Sequence, residues 1–113
     1  GLYKNGRQYA ETPSFTNAKK MDPLFAAVIQ NKTFYNKFVA TIKEIGSTNF
    51  DYKTCCQKLD DLTALYQPLM QDFYTRYFGL KDNWHRNQFA SNVNEMKNFL
   101  KVRYDLILED IEE

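Results

Sequence analysis

Glycine is scarce in this 113-residue chain, with four residues scattered at positions 1, 6, 46 and 79. No glycine-rich loop can be assembled from them, so the backbone cradle of phosphate-binding loops is missing. Histidine occurs once, as His85, and cysteine twice, as the neighbours Cys55 and Cys56. Two cysteines with one distant histidine lack zinc-site spacing. Adjacent cysteines point to different sides of a helix, and bridging them needs unusual backbone geometry, so both read as free thiols, which fits a reducing compartment better than an oxidising one. No apolar run approaches the roughly 20 residues that cross a bilayer, and no signal-peptide pattern is visible. Formal net charge is only +1, which argues against a general nucleic-acid binder. The expectation is therefore no nucleic-acid partner and no membrane partner.

What the chain does have is rings. Nine Phe, eight Tyr and one Trp make 16% of the sequence, enough to build a core or an interface from flat side chains. Hydrophobic residues reach 43%, too many for a disordered tail and right for one modest domain. Charge is unevenly spread. Residues 1–58 hold nine Lys/Arg against four Asp/Glu, and residues 59–113 hold six against ten. Two solvated surfaces of opposite sign within one fold are the plain reading, and a basic face for phosphate or an acidic partner is the sharper one. Asn31-Lys32-Thr33 matches the glycosylation sequon, which matters only in a secreted protein. Gly1 fits the scar of a cleaved tag, so the chain reads as a piece of a longer protein.

Helical periodicity organises everything after residue 20. Segment 1–20 shows no sustained period; Asn5-Gly6 could close a small hairpin between Leu2-Tyr3 and Gln8-Tyr9, and Pro13 and Ser14 read as helix breakers. A short helix is expected over 22–31, with Asp22 as cap and Pro23 at its first position. A second is expected over 32–45 with the stripe Phe34, Phe38, Ile42 and Ile45, closed by a left-handed Gly46. A third runs from the cap Asp51 to Phe78 before Gly79. Its apolar residues Cys55, Leu59, Leu62, Tyr66, Leu69, Phe73 and Tyr77 make a near-heptad seam. Pro68 lies inside it, so a kink near 64–66 or a short break is expected. The last helix, from 87 or 88 to about 111, carries Phe89, Val93, Met96, Leu100, Tyr104, Ile107 and Ile111, widened by Phe99, Val102, Leu106 and Leu108. The expected fold is all-α, a small bundle of three long helices plus one short helix (21–113) behind an irregular N-terminal segment (1–20).

Candidate chemistry is thin. Asp60, Asp61, Asp72, Glu95, Asp105, Glu109 and Asp110 mostly fall off the stripes, so no intrinsic metal site is expected. Cys55 or Cys56 with His85, oriented by Asp82 or Asp105, is a nucleophile–base set by residue type alone. Trp84 is expected to plug the end of the bundle. Arg103 flanks the apolar run of "FLKVRYDLILEDIEE" (99–113). A buried guanidinium must be hydrogen-bonded, so Arg103 reads as a structural tie to a carboxylate or to helix-end carbonyls. Trp84, Leu100, Tyr104 and Pro68 join it as structural residues, and the closing acidic residues read as a frayed end. Tyr35, Phe25 and Lys32 are the candidates for an interaction surface, with an exposed aromatic face offering homo-oligomer contacts.

From Pro23 onward the chain resembles the C-terminal helical portion of the spore coat protein H (CotH) kinase-like family. The residues that carry it are "DPLF" (22–25), "NKTFYNKFVATIKEI" (31–45), "FYTRYFG" (73–79) and "NWHRNQFASNVNEMKNFLKVRYDLI" (83–107). In the last stretch the family-like positions are Trp84, Val93, Met96, Lys97, Phe99, Leu100 and Arg103. Asp22 departs from the asparagine more often found there. The resemblance implies an atypical kinase that phosphorylates protein substrates with ATP and a divalent metal. It also implies that the nucleotide lysine and metal-binding acids lie upstream of this portion, and no stretch here matches them. The chain is then expected to be a non-catalytic helical subdomain with no catalytic, cofactor-binding or metal residues of its own. Its partner would be the preceding kinase-like region or another protein. The alternative is an independent helical interaction module of a spore coat or cell-surface protein. A cytoplasmic or spore-coat location is favoured over secretion.

Overall fold

The computed structural model describes residues 10–112. Among them are five helices and no strand: α1 (Ser14–Met21), α2 (Pro23–Val28), α3 (Lys32–Ser47), α4 (Tyr52–Phe78) and α5 (Trp84–Glu112). The hairpin expected around Asn5-Gly6 lies outside the described residues.

Local signals start most helices where the sequence places them. Asp22 Oδ1 accepts the amide N–H groups of Leu24 at 2.9 Å and Phe25 at 3.2 Å, and Pro23 opens α2. Asn31 Oδ1 accepts from Phe34 N–H at 3.0 Å to start α3. Asp51 Oδ2 accepts from Thr54 N–H at 3.0 Å to start α4. Each side chain satisfies an amide that has no partner in the first helical turn. Gly79, with φ 88°, ends α4 in a conformation that suits glycine.

Four local expectations change. Residues 14–21 are helical, so Pro13 delimits a helix instead of preventing one. Gly46 does not close α3, which continues through it to Ser47. The need for glycine there is tertiary: a Cβ at position 46 would run into the ring of Tyr104 on α5. Helix α4 runs on across Pro68, an exposed residue, so the short break does not occur. Helix α5 begins at Trp84, so the "WHR" stretch belongs to its first turn and not to a loop.

The molecule divides into a base and an arm. In the base, Phe15, Ile29 and Ile111 form a buried cluster, with Phe25, Tyr35, Phe38, Val39, Ile42 and Ile107 packed against it. Phe15, Phe25 and Phe38 meet pairwise at ring-centroid distances of 5.8–6.0 Å, within the range in which aromatic pairs attract beyond simple burial. Helices α1, α2 with its C-cap Ile29, α3 and the C-terminal half of α5 supply these side chains.

The arm is the antiparallel pair of α4 with the N-terminal half of α5. Lys97 Nζ meets Asp60 Oδ1 at 2.5 Å. Arg86 donates to Gln71 Oε1 at 2.6 Å and to Thr75 Oγ1 at 2.7 Å. The result is long: extents of 59 × 26 × 19 Å and a radius of gyration of 18.6 Å, against about 13 Å for a compact chain of this length.

Candidate functional site

Two features stand out. The first is a clamp on α5. Arg103 Nη1 donates to the carbonyl oxygens of Ala10 at 2.5 Å and Thr12 at 2.8 Å, and Nη2 donates to Ser14 Oγ at 2.5 Å. Two turns further on, Asp110 Oδ2 accepts the amide N–H groups of Phe15 at 2.7 Å and Thr16 at 3.2 Å. Asp110 Oδ1 accepts the Thr16 hydroxyl at 2.5 Å.

Pro13 offers no side-chain cap to α1. A carboxylate from a helix 95 residues away in sequence therefore does the capping, and its negative charge sits at the favourable end of the α1 dipole. Burial opposes ionisation of Asp110, yet hydrogen bonds from the Thr16 side chain and from the Thr16 and Phe15 amides, with Lys19 nearby, hold its carboxyl below the usual carboxylate value. Burial lowers the Arg103 guanidinium, and the Asp110 charge works the other way. Arg103 and Asp110 are spaced i, i+7, which puts both on one helix face.

The clamp also fixes the end of α5, expected to fray. Ile111 is buried, its carbonyl accepts the Tyr35 hydroxyl at 2.8 Å, and Glu112 meets Lys43 Nζ at 2.7 Å. Sequence reading missed Asp110 because the group it caps is not its neighbour in the chain.

The second feature is an uncovered face. On α4 the side turned to α5 carries Leu59, Thr63, Met70 and the buried Tyr74. Much of the seam expected to face inward faces solvent instead: Leu62, Tyr66, Leu69, Phe73 and Tyr77, with Leu65 beside them, are exposed. Periodicity locates an apolar stripe but does not say which neighbour covers it.

Other candidates are placed individually. Trp84 is 64% exposed and plugs nothing. Phe25 and Tyr35, expected at an interaction surface, are half-buried in the base, while Lys32 is exposed. Leu100 and Tyr104 line a cavity of about 410 Å³ between α3 and α5, with Arg103 at its wall. His85 stacks on Phe78 at 3.6 Å, and its Nδ1 lies 3.1 Å from Asp82 Oδ1. The other oxygen of Asp82 is buried without a hydrogen bond, 3.7 Å from Arg86 Nη1.

Cys55 and His85 are not brought together. Cys55 lies in the first turn of α4, whereas His85 packs against its last turn, about 35 Å away at 1.5 Å per residue. Cys56 instead lies near Tyr52 and holds that phenol above its ordinary value. Among the described residues no group of three or more His, Cys, Asp or Glu side chains is placed to hold a metal ion. No described helix is long and apolar enough to cross a membrane.

In comparison with known proteins, the family model described as CotH kinase protein matches residues 3–107. No curated protein and no solved structure matches the chain.

Proposed function

The chain belongs to the CotH kinase protein family, and from that premise we propose that it is a non-catalytic helical lobe of a CotH-like atypical protein kinase, supporting the kinase core or its substrate face. The observation that carries this reading is the Arg103–Asp110 clamp. Two residues of α5 fix the backbone from Ala10 to Thr16, so a kinase-like region joined through this segment would be held in a set orientation against α5. That is the work of a supporting lobe.

ATP and a divalent metal would act in the kinase-like region. Four of the acids described here are committed separately, which does not suit that role: Asp22 and Asp51 to their own helix starts, Asp60 to Lys97, Asp110 to α1. Phosphate chemistry needs several carboxylates converging on one ion.

A phosphoryl-transfer assay on the 113-residue chain, with ATP, magnesium or manganese and a generic protein acceptor, tests the reading. No transfer above background is expected. Transfer that scales with chain concentration and disappears with chelator would refute the non-catalytic assignment. The uncovered face of α4 favours a second reading, an independent protein–protein interaction module of a spore coat or cell-surface protein. It shares the expectation of no phosphoryl transfer but does not need the clamp to orient anything.

A further inference from the structure

Leu62, Leu65, Tyr66, Leu69, Phe73 and Tyr77 are each 46–65% exposed along one face of α4. Together they leave on the order of 700 Å² of apolar side chain in water, beyond the roughly 300–600 Å² of a typical monomer's largest patch. That is close to the roughly 800 Å² per partner of a standard stable interface. Positions 62, 66, 69 and 73 follow one another at steps of 4, 3 and 4, the spacing by which one helix seats its side chains between those of another. Helix α5 does not use this seam, since it packs on the adjacent face of α4.

We propose that this face is an isologous dimer interface, with α4 of one chain packed antiparallel against α4 of a second copy. Charge fixes the direction. With the two helices antiparallel about Leu69, Leu65 of one copy faces Phe73 of the other, and Asp61 comes beside Arg76 and Tyr77. The two-fold axis makes each contact twice. Both Asp61 and Arg76 are exposed: a step of 3 from Phe73 places Arg76 on the seam itself, and Asp61 lies just outside Leu62, so the long Arg76 side chain reaches out of the seam to the carboxylate. A parallel pair would set Arg76 against Arg76 in the seam, an arrangement that repulsion disfavours. Within the chain, Asp61 is held ready by Gln57, whose Nε2 donates to its Oδ1 at 2.9 Å.

Sedimentation equilibrium of the whole chain from about 1 to 200 µM tests this. A single monomer–dimer equilibrium is expected, with a limiting mass twice the 13.4 kDa of the chain. Leu69→Asp should raise the dissociation constant at least about tenfold while leaving the circular-dichroism helix signal unchanged, since the residue is exposed. Asp61→Arg should weaken the dimer, and adding Arg76→Asp should restore it. A monomer at every concentration, open-ended association, or a dimer indifferent to Leu69→Asp would overturn the interface. A double charge reversal that fails to restore would overturn the antiparallel register.

Discussion

Replacing Asp110 by alanine removes three acceptor contacts at once: from the Phe15 amide, the Thr16 amide and the Thr16 hydroxyl. An ordinary helix-capping side chain contributes about 1 kcal/mol, and up to about 2 in the best hosts. Asp110 exceeds the ordinary case in two respects. It is ionised, which strengthens each bond, and the amide of Phe15 belongs to a residue in the buried cluster. A loss of about 2 kcal/mol is therefore expected, less than the sum of three charged hydrogen bonds because water can reach the vacated amides. For a chain of this size that lowers the melting temperature by roughly 8 °C.

Urea denaturation followed by circular dichroism gives the free energy directly, with Glu109→Ala, an exposed acid one residue away, as control. The difference between wild type and Asp110→Ala must also depend on pH. The folded carboxyl titrates below the usual carboxylate value, held there by the hydrogen bonds from Thr16 and Phe15. Its contribution is thus fully present above the unfolded pKa and is lost as pH falls through the lower folded one. The two proteins should differ at pH 7 and converge in strong acid. A loss under about 0.5 kcal/mol at pH 7, equal to that of Glu109→Ala, would refute the cross-chain cap.

Three further changes have definite expected outcomes. Arg103→Met should lower the melting temperature by several degrees with helix content preserved, because it frees two carbonyls and the Ser14 hydroxyl while keeping the aliphatic stem; an unchanged melting temperature in a thermal scan would remove the anchor. Gly46→Ala should destabilise by about 1 kcal/mol in urea titration despite the better helix propensity of alanine, since overpacking against Tyr104 costs more than propensity returns. Pro68→Ala should stabilise by about 1–2 kcal/mol in the same titration, because it restores an amide to the interior of α4 at an exposed position; part of the roughly 3 kcal/mol propensity difference is offset by a freer unfolded chain.

Features set by neighbouring residues were readable from the sequence. Asp22-Pro23, Asp51 and Gly79 mark helix ends because caps act within three or four positions. The apolar face of α5 was also legible, since its width announces neighbours on several sides. What escaped depends on contacts between distant segments. Helix α1 looked broken at Pro13 because its cap comes from α5. Gly46 looked like a terminator because the ring of Tyr104 is invisible from position 46. The α4 seam was located correctly as a stripe, but a stripe is equally apolar whether its partner is within the chain or outside it. The candidate surfaces were therefore half legible: the residue types were visible, while the faces they present depend on packing.

The clamp has a consequence for synthesis. Helix α1 leaves the ribosome well before α5, and the carboxylate that caps it is made 95 residues after Phe15. At about 5–20 residues per second, that is a wait of roughly 5–20 s. During it, α1 is a short helix without its cap and Phe15 has not met Ile111. A helix of eight residues is marginal on its own. The base is therefore expected to close only when the last turns of α5 arrive, so α1 is completed by a segment made long after it.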